Sequence, residues 1–254
     1  MRLGMGRQAA TLHSSLGLQP IDRAVNLNRE TIDLSTPLSL GTSFRFPLQS
    51  TTSRREVWIG AALLLLPGVG WLLNMGHRVM MVHHMLHGRS AWPSWTHPLT
   101  LLRHGVITFG GMLYYYLPGV VLLVGGHRSD SFGTLGLGVG LCLLATLAIP
   151  GYMTHYCRVF DHREIYNPVR ALSRVRQGGR AYWRAWRIAL TALALSFLGL
   201  LAAGVGFLAT SVWFWQVAGF SFARVFAHAP DTERSSLAPS SAGAGGPREV
   251  ANFR

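Results

Sequence analysis

Six histidines crowd into residues 77–104, and two of them, His83 and His87, stand four apart. On a helix an i, i+4 pair shares a face, and two imidazoles so placed can hold a metal ion or ligate a haem-type tetrapyrrole. His77 and His84, seven apart, share another face. A closed zinc site needs a third and fourth ligand. No carboxylate or cysteine lies nearby in sequence, so His97 or His104 would have to serve. Arg78 and Arg89 add positive charge where a cation would bind. The spacing therefore favours an interfacial amphipathic helix and predicts no metal and no cofactor. On that reading Met80, Met81, Met85 and Leu86 supply the buried side, and the histidines fan out toward headgroups and water.

A second set is basic. Arg170, Arg174, Arg176, Arg180, Arg184 and Arg187 predict a cytoplasmic amphipathic helix interrupted at Gly178-Gly179. Each would be worth about 1 kcal/mol against anionic headgroups. Tyr182, Trp183 and Trp186 suit an interfacial aromatic belt. An acidic protein or a nucleic acid is the alternative partner. The positive-inside bias of membrane proteins already accounts for the run, so a bilayer with anionic headgroups is expected and nucleic acid is not. Other membrane proteins are the further expected partners.

The remaining polar groups are sparse. Asn74, Gln216 and Tyr114, Tyr115 and Tyr116 are the main ones within apolar stretches. Gly136 and Gly140 form a Gly-x-x-x-Gly pattern, read as internal helix packing ahead of homodimerisation. No phosphate-binding loop, nucleophile elbow, His-Glu-x-x-His or paired catalytic carboxylates occur, so catalysis is not expected.

These residues must be positioned by apolar elements. Across the 254 residues, 49% are hydrophobic and 13% charged, against about 25% charged in an ordinary soluble domain. The net charge is +13 and every basic residue is Arg. No Asp or Glu occurs between Glu56 and Asp130, or between Glu164 and Asp231. Four apolar blocks fill the chain: 57–76, 105–126, 131–154 and 188–223. The last would make a helix about 54 Å long, too long for one crossing of roughly 30 Å of hydrocarbon. It must fold back near Gly199–Gly206, giving two helices. The first block is broken at Pro67-Gly68. Gly68-Val69-Gly70-Trp71-Leu72 is echoed by Gly204-Val205-Gly206-Phe207-Leu208, which predicts that the first block is a helical hairpin like the last. The cysteines, Cys142 and Cys157, are too far apart along one helix to bridge.

The fold class is thus all-α, a polytopic transmembrane helical bundle. It has five spans if the first block crosses once, or four if that block is re-entrant. The Arg count favours the second, because Arg54 and Arg55 then lie inside with the loop after residue 157 and the C-terminus. Residues 1–41 read as a polar, largely disordered extension without a signal peptide. Residues 42–227 form the membrane domain, and 228–254 a disordered tail. The expected location is the inner membrane of a bacterial cell. Phe44-Arg45-Phe46-Pro47 reads as an interfacial lead-in.

Several segments resemble a prokaryotic multi-pass membrane family catalogued as domain of unknown function 4013. They are Phe44-Arg45-Phe46-Pro47, Trp58-Ile59-Gly60, Pro67-Gly68-Val69-Gly70-Trp71, Trp92-Pro93-Ser94-Trp95, Leu117-Pro118 and Asn167-Pro168-Val169-Arg170-Ala171-Leu172. The similarity covers roughly 42–227. It implies a multi-pass membrane protein and lends no catalytic residues. The function expected is a non-catalytic scaffold, accessory subunit or envelope factor. The alternative is a small transporter or channel component, with its site where Pro67-Gly68 and Pro118-Gly119 break two helices.

Overall fold

The computed structural model describes residues 32–35, 37–202 and 204–227, and these are all-α. Eight helices follow in order. They are α1 (Leu40–Arg45), α2 (Thr51–Leu63), α3 (Val69–Leu86), α4 (Pro98–Arg128), α5 (Phe132–Val159), α6 (Arg163–Tyr166), α7 (Pro168–Ser196) and α8 (Val205–Ala227). Single 3₁₀ turns, Phe46–Leu48 and Phe197–Leu201, follow α1 and α7. The tail 228–254 and most of the N-terminal extension lie outside the described residues. The packed chain starts before residue 42, however, because Ile32, Leu34 and Leu38 lie against the two cores.

Among the described residues four stretches are long and apolar enough to cross a membrane: α4, α5, α7 with its 3₁₀ extension, and α8. Their outward faces carry Leu113, Val121, Leu137, Leu143, Leu190 and Leu198 exposed. So much apolar surface suits lipid rather than water. The molecule is a polytopic membrane protein.

The first apolar block folds as a hairpin, α2–α3, and the last as a second hairpin, α7–α8. In both, a glycine ahead of the second helix takes a left-handed backbone: φ is +75° at Gly68 and +77° at Gly204. Only glycine adopts that conformation without strain. In both, a polar side chain one turn into the second helix ties the two arms. Asn74 Nδ2 donates to the carbonyls of Gly60 and Gly70 at 3.0 and 2.9 Å. Thr210 Oγ1 donates to those of Ser196 and Gly206 at 2.7 and 3.0 Å. Gly60, Gly70 and Asn74 precede Ser196, Gly206 and Thr210 by 136 residues each. The echo in the sequence is a repeated structural unit.

The α4–α5 pair is the third hairpin. α4 runs antiparallel to α3, and the contact is backbone-close. A Cβ on Gly76 would stand 1.7 Å from the Leu101 carbonyl oxygen, and one on Gly105 2.0 Å from that of Leu72. α4 passes Pro118 as one helix, so Pro118 does not break it. In α5 the packing glycine is Gly138, whose Cβ would meet Leu123 and the Gly119 carbonyl. Gly136 and Gly140 face open space, so the internal packing read from their spacing falls on Gly138 instead.

α8 is central and packs on α7, α2, α3 and α5. Phe46 is 1% exposed and stacks between Trp92 and Phe220 at centroid distances of 5.1 and 4.4 Å. Phe46 and Pro47 of the expected interfacial lead-in are therefore core, because α1 and its 3₁₀ turn tuck against α8, while Arg45 stays exposed. Tyr182 is likewise fully buried, with its hydroxyl on the Leu147 carbonyl, so only Trp183 keeps the exposed belt position.

Candidate functional site

α3 and α8 run parallel, each starting from its own hairpin turn. Between them, with α4 closing one side, lies a cavity of about 280 Å³. Leu64, Trp71, Phe207 and Val212 wall it near the turns. Asn74, His77, Arg78, Ser211 and Gln216 supply its polar groups, and no Asp or Glu lines it. Helical spacing explains the convergence. Asn74 and Arg78 are one turn apart on α3, and Val212, Trp215 and Gln216 form an i, i+3, i+4 set on α8.

Arg78 Cζ lies over the Trp215 ring, 4.3 Å from its centroid, a cation–π contact. Arg78 has no hydrogen bond or ion pair to another described residue, and it also borders a second cavity of about 80 Å³ toward Met153 and Cys157. Gln216 is 5% exposed and its Oε1 is buried without a partner. The other polar groups are spoken for. Asn74 gives both amide protons to the hairpin, and Ser211 Oγ donates to Leu208 O at 2.9 Å. His77 Nε2 stands 3.2 Å from Glu56 Oε2, and its ring stacks on Trp95 at 4.0 Å. Gln216 stood out in the sequence as a polar residue in an apolar block. Arg78 reads in the sequence as a charge on the polar face of an interfacial helix, because spacing alone does not show that α3 runs inside the bundle.

The His-rich stretch is organised differently from the fan expected. His83 Nδ1 is 2.7 Å from Cys157 O, and its ring stacks on Phe160 at 4.5 Å. His104 lies against the same Phe160 at 4.3 Å, with Nδ1 3.0 Å from the Tyr156 hydroxyl. His84 Nδ1 is 2.9 Å from Ser90 O, and His87 Nδ1 2.8 Å from His83 O. The end of α5 folds over α3, so His83 and His104 are held by carbonyls and aromatics, while His87 stays exposed as expected. His97 is exposed at the start of α4. Met81 and Met85 are buried, as the helical spacing predicts. Among the described residues no three His, Cys, Asp or Glu groups come together to hold a metal. Burial pushes the pKa of His83 and His84 below the ordinary histidine value, with Arg89 acting in the same direction.

The Arg series splits. The predicted interruption is real: Gly179 has φ +49° and ψ −137°, which separates the segment before it from the span after it. Arg174 is 6% exposed and meets Glu164 at 3.3 Å, and Arg170 meets the same carboxylate at 3.0 Å. Those two hold α6 to α7. Arg176, Arg180, Arg184 and Arg187 are exposed. Tyr114 and Tyr115 pack on Tyr166 and Tyr152, and Tyr116 bonds Thr146 at 2.7 Å. Pro67 lies in the turn above the cavity, whereas Pro118 does not line it.

No known protein family, curated protein or solved structure matches the chain.

Proposed function

We propose that this is a non-catalytic membrane protein, an accessory or scaffold subunit, that recognises an anionic group inside its bundle. The observation that carries the reading is Arg78. Counted along the helices, Arg78 and Gln216 stand about 14 and 16 Å from the starts of α3 and α8, while α8 is about 34 Å long. In a bilayer crossed by α8 both lie near mid-depth. An ionisable side chain there marks function by default, and here it has a cavity and no lining acid. Glu56 is engaged by His77 and Glu164 by Arg174, so neither carboxylate is free to neutralise Arg78, which supports anion binding.

The exposed Arg176, Arg180, Arg184 and Arg187 support contact with anionic headgroups on the cytoplasmic side of a cell membrane. The α2–α3 hairpin supports the re-entrant, four-span arrangement. With it, the resemblance to domain of unknown function 4013 stands as a proposal. An impermeant thiol reagent tests the sidedness: Ser129→Cys labels from outside in intact cells and Arg176→Cys does not.

The binding role is tested by purification in mild detergent. Stoichiometric partner proteins, together with anion-dependent thermal stabilisation lost in Arg78→Gln, support it. Turnover of an added substrate by the lone protein overturns it. A transporter is the second reading, favoured by the position of the cavity beside the Pro67 turn. Anion flux in proteoliposomes is its test.

A further inference from the structure

We infer that the Arg78 cavity is built for a monoanionic carboxylate amphiphile, a compound of the fatty-acid class, with its carboxylate on Arg78 and its apolar chain toward the hairpin turns. The inference rests on the reading of this cavity as an anion-recognition site and adds the class of ligand. Four observations converge.

The first is charge. One guanidinium faces a cavity lined by no acid, so one negative charge is matched. A phosphate monoester brings a charge of about −1.5 to −2, and its excess would stay unpaired in an apolar enclosure.

The second is donor geometry. The guanidinium rests near the Trp215 ring with no hydrogen bond to a described residue, so its fork of N–H groups is free to grip a carboxylate through two parallel hydrogen bonds. Gln216 lines the same cavity, and its amide NH₂ group, with no hydrogen bond to a described residue, is a further donor at that end.

The third is the gradient along the cavity. Arg78, His77 and Gln216 form the deep end, and Leu64, Trp71 and Phe207 the end near the turns. The two ends are about 13 Å apart, counting from Phe207 to Gln216 along α8. A small hydrophilic anion would leave that apolar length unfilled, while an acyl chain fills it.

The fourth is size and access. About 280 Å³ suits one chain and excludes the bulk of a two-chain phospholipid. Trp71 and Trp215, which line the cavity, are 37% and 40% exposed, so the cavity is open beside them rather than sealed.

The test uses the full chain in nanodiscs of neutral phosphatidylcholine, with 11-bromoundecanoate as the probe. Its bromine quenches nearby tryptophans, and Trp71 and Trp215 line the cavity. Saturable quenching is expected, displaced by dodecanoate and not by dodecanol. Affinity should fall at least tenfold in Arg78→Gln and less in Arg78→Lys. Trp71→Phe with Trp215→Phe should remove most of the signal. Because Arg78→Gln relieves a buried unpaired charge, its ligand-free melting temperature should equal or exceed the native one, so lost binding is not lost fold. Gln216→Leu gives a second variant, with a smaller loss of affinity.

If acetate or chloride stabilises the protein through Arg78 while the bromo-acid gives only non-saturable quenching, the ligand class is overturned and anion recognition stands. Equal displacement by dodecanol and dodecanoate, unchanged in Arg78→Gln, overturns both. Quenching displaced equally by vesicles of phosphatidylglycerol also overturns the single-chain assignment.

Discussion

Glu56 on α2 faces His77 on α3 across the first hairpin, carboxylate oxygen to Nε2 at 3.2 Å, and both are buried. The same oxygen accepts the Trp95 indole N–H, so one carboxylate joins α2, α3 and the Trp92–Trp95 loop. Removing one partner of a buried pair strands the others. Glu56→Ala should cost about 3–5 kcal/mol on that ground. Glu56→Gln keeps an acceptor oxygen and should cost about 1 kcal/mol. Thermal unfolding followed by tryptophan fluorescence measures both. Equal losses would mean that the acceptor is irrelevant and that only packing counts.

The two hairpin ties should behave alike. Asn74→Ala and Thr210→Val each remove a side-chain donor from two carbonyls. Each should cost about 1–3 kcal/mol. Hydrogen exchange should show faster opening of 60–74 in the first variant and 196–210 in the second, each leaving the other hairpin protected. Opening of both together in either variant would contradict the picture of two self-contained units.

Glycines with the same look in the sequence separate sharply by surroundings. Gly76→Ala drives a methyl group into the Leu101 carbonyl and must push α3 and α4 apart. Gly136→Ala meets nothing within 4 Å and should stay within about 0.5 kcal/mol of the native protein. Melting temperatures in one detergent decide it, and a large loss in Gly136→Ala would point to a helix partner on that face.

Long uncharged blocks announce their helices, because an apolar face of 20 residues has one physical use. The length of 188–223 called for the second hairpin, and the echo of Gly68-Val69-Gly70 at Gly204-Val205-Gly206 pointed to a matching first one, where a left-handed residue ahead of each helix calls for glycine. The site was legible in part. Gln216 was visible as polarity in an apolar run. Arg78 was not, since a charge among histidines on an amphipathic helix reads as part of its interfacial polar face. Only the tertiary contact with Trp215 places it inside. Likewise the spacing that marked Arg174 as one of a surface row says nothing of Glu164, ten residues away, which turns it inward.

That division of the arginines is measurable. Arg174→Gln leaves the buried Glu164 carboxylate with Arg170, whose side chain is 47% exposed, and should destabilise the fold by about 3 kcal/mol in any lipid. Arg180→Gln and Arg184→Gln should leave stability in neutral nanodiscs unchanged. In nanodiscs rich in phosphatidylglycerol each should lose about 1 kcal/mol of the stabilisation conferred by that lipid, and the loss should shrink at high salt. Indifference of these variants to lipid charge would remove headgroup contact from the arm.

The histidine cluster gives the protein a pH dependence whose sign is fixed by burial. His83 and His84 hold their protons more weakly in the folded protein than in the unfolded chain, where histidine titrates near 6.5. Above that value both states are neutral and the groups leave stability alone. Below it the unfolded chain takes up protons that the folded one resists, so stability falls as the pH falls. Protonation would also set like charges side by side. The His83 and His87 ring centroids are 4.1 Å apart, and Arg89 is close enough to oppose the charge on His83. The ring of His83, held between Cys157 O and Phe160, is the one whose release would free the end of α5 from α3. Melting temperatures between pH 8 and pH 7 should therefore be flat, with a decline setting in below about 6.5. His83→Gln, which keeps a donor for Cys157 O without a titrating proton, should flatten part of that decline. A melting temperature that rises on acidification would show that the cluster gains, rather than loses, a partner when protonated.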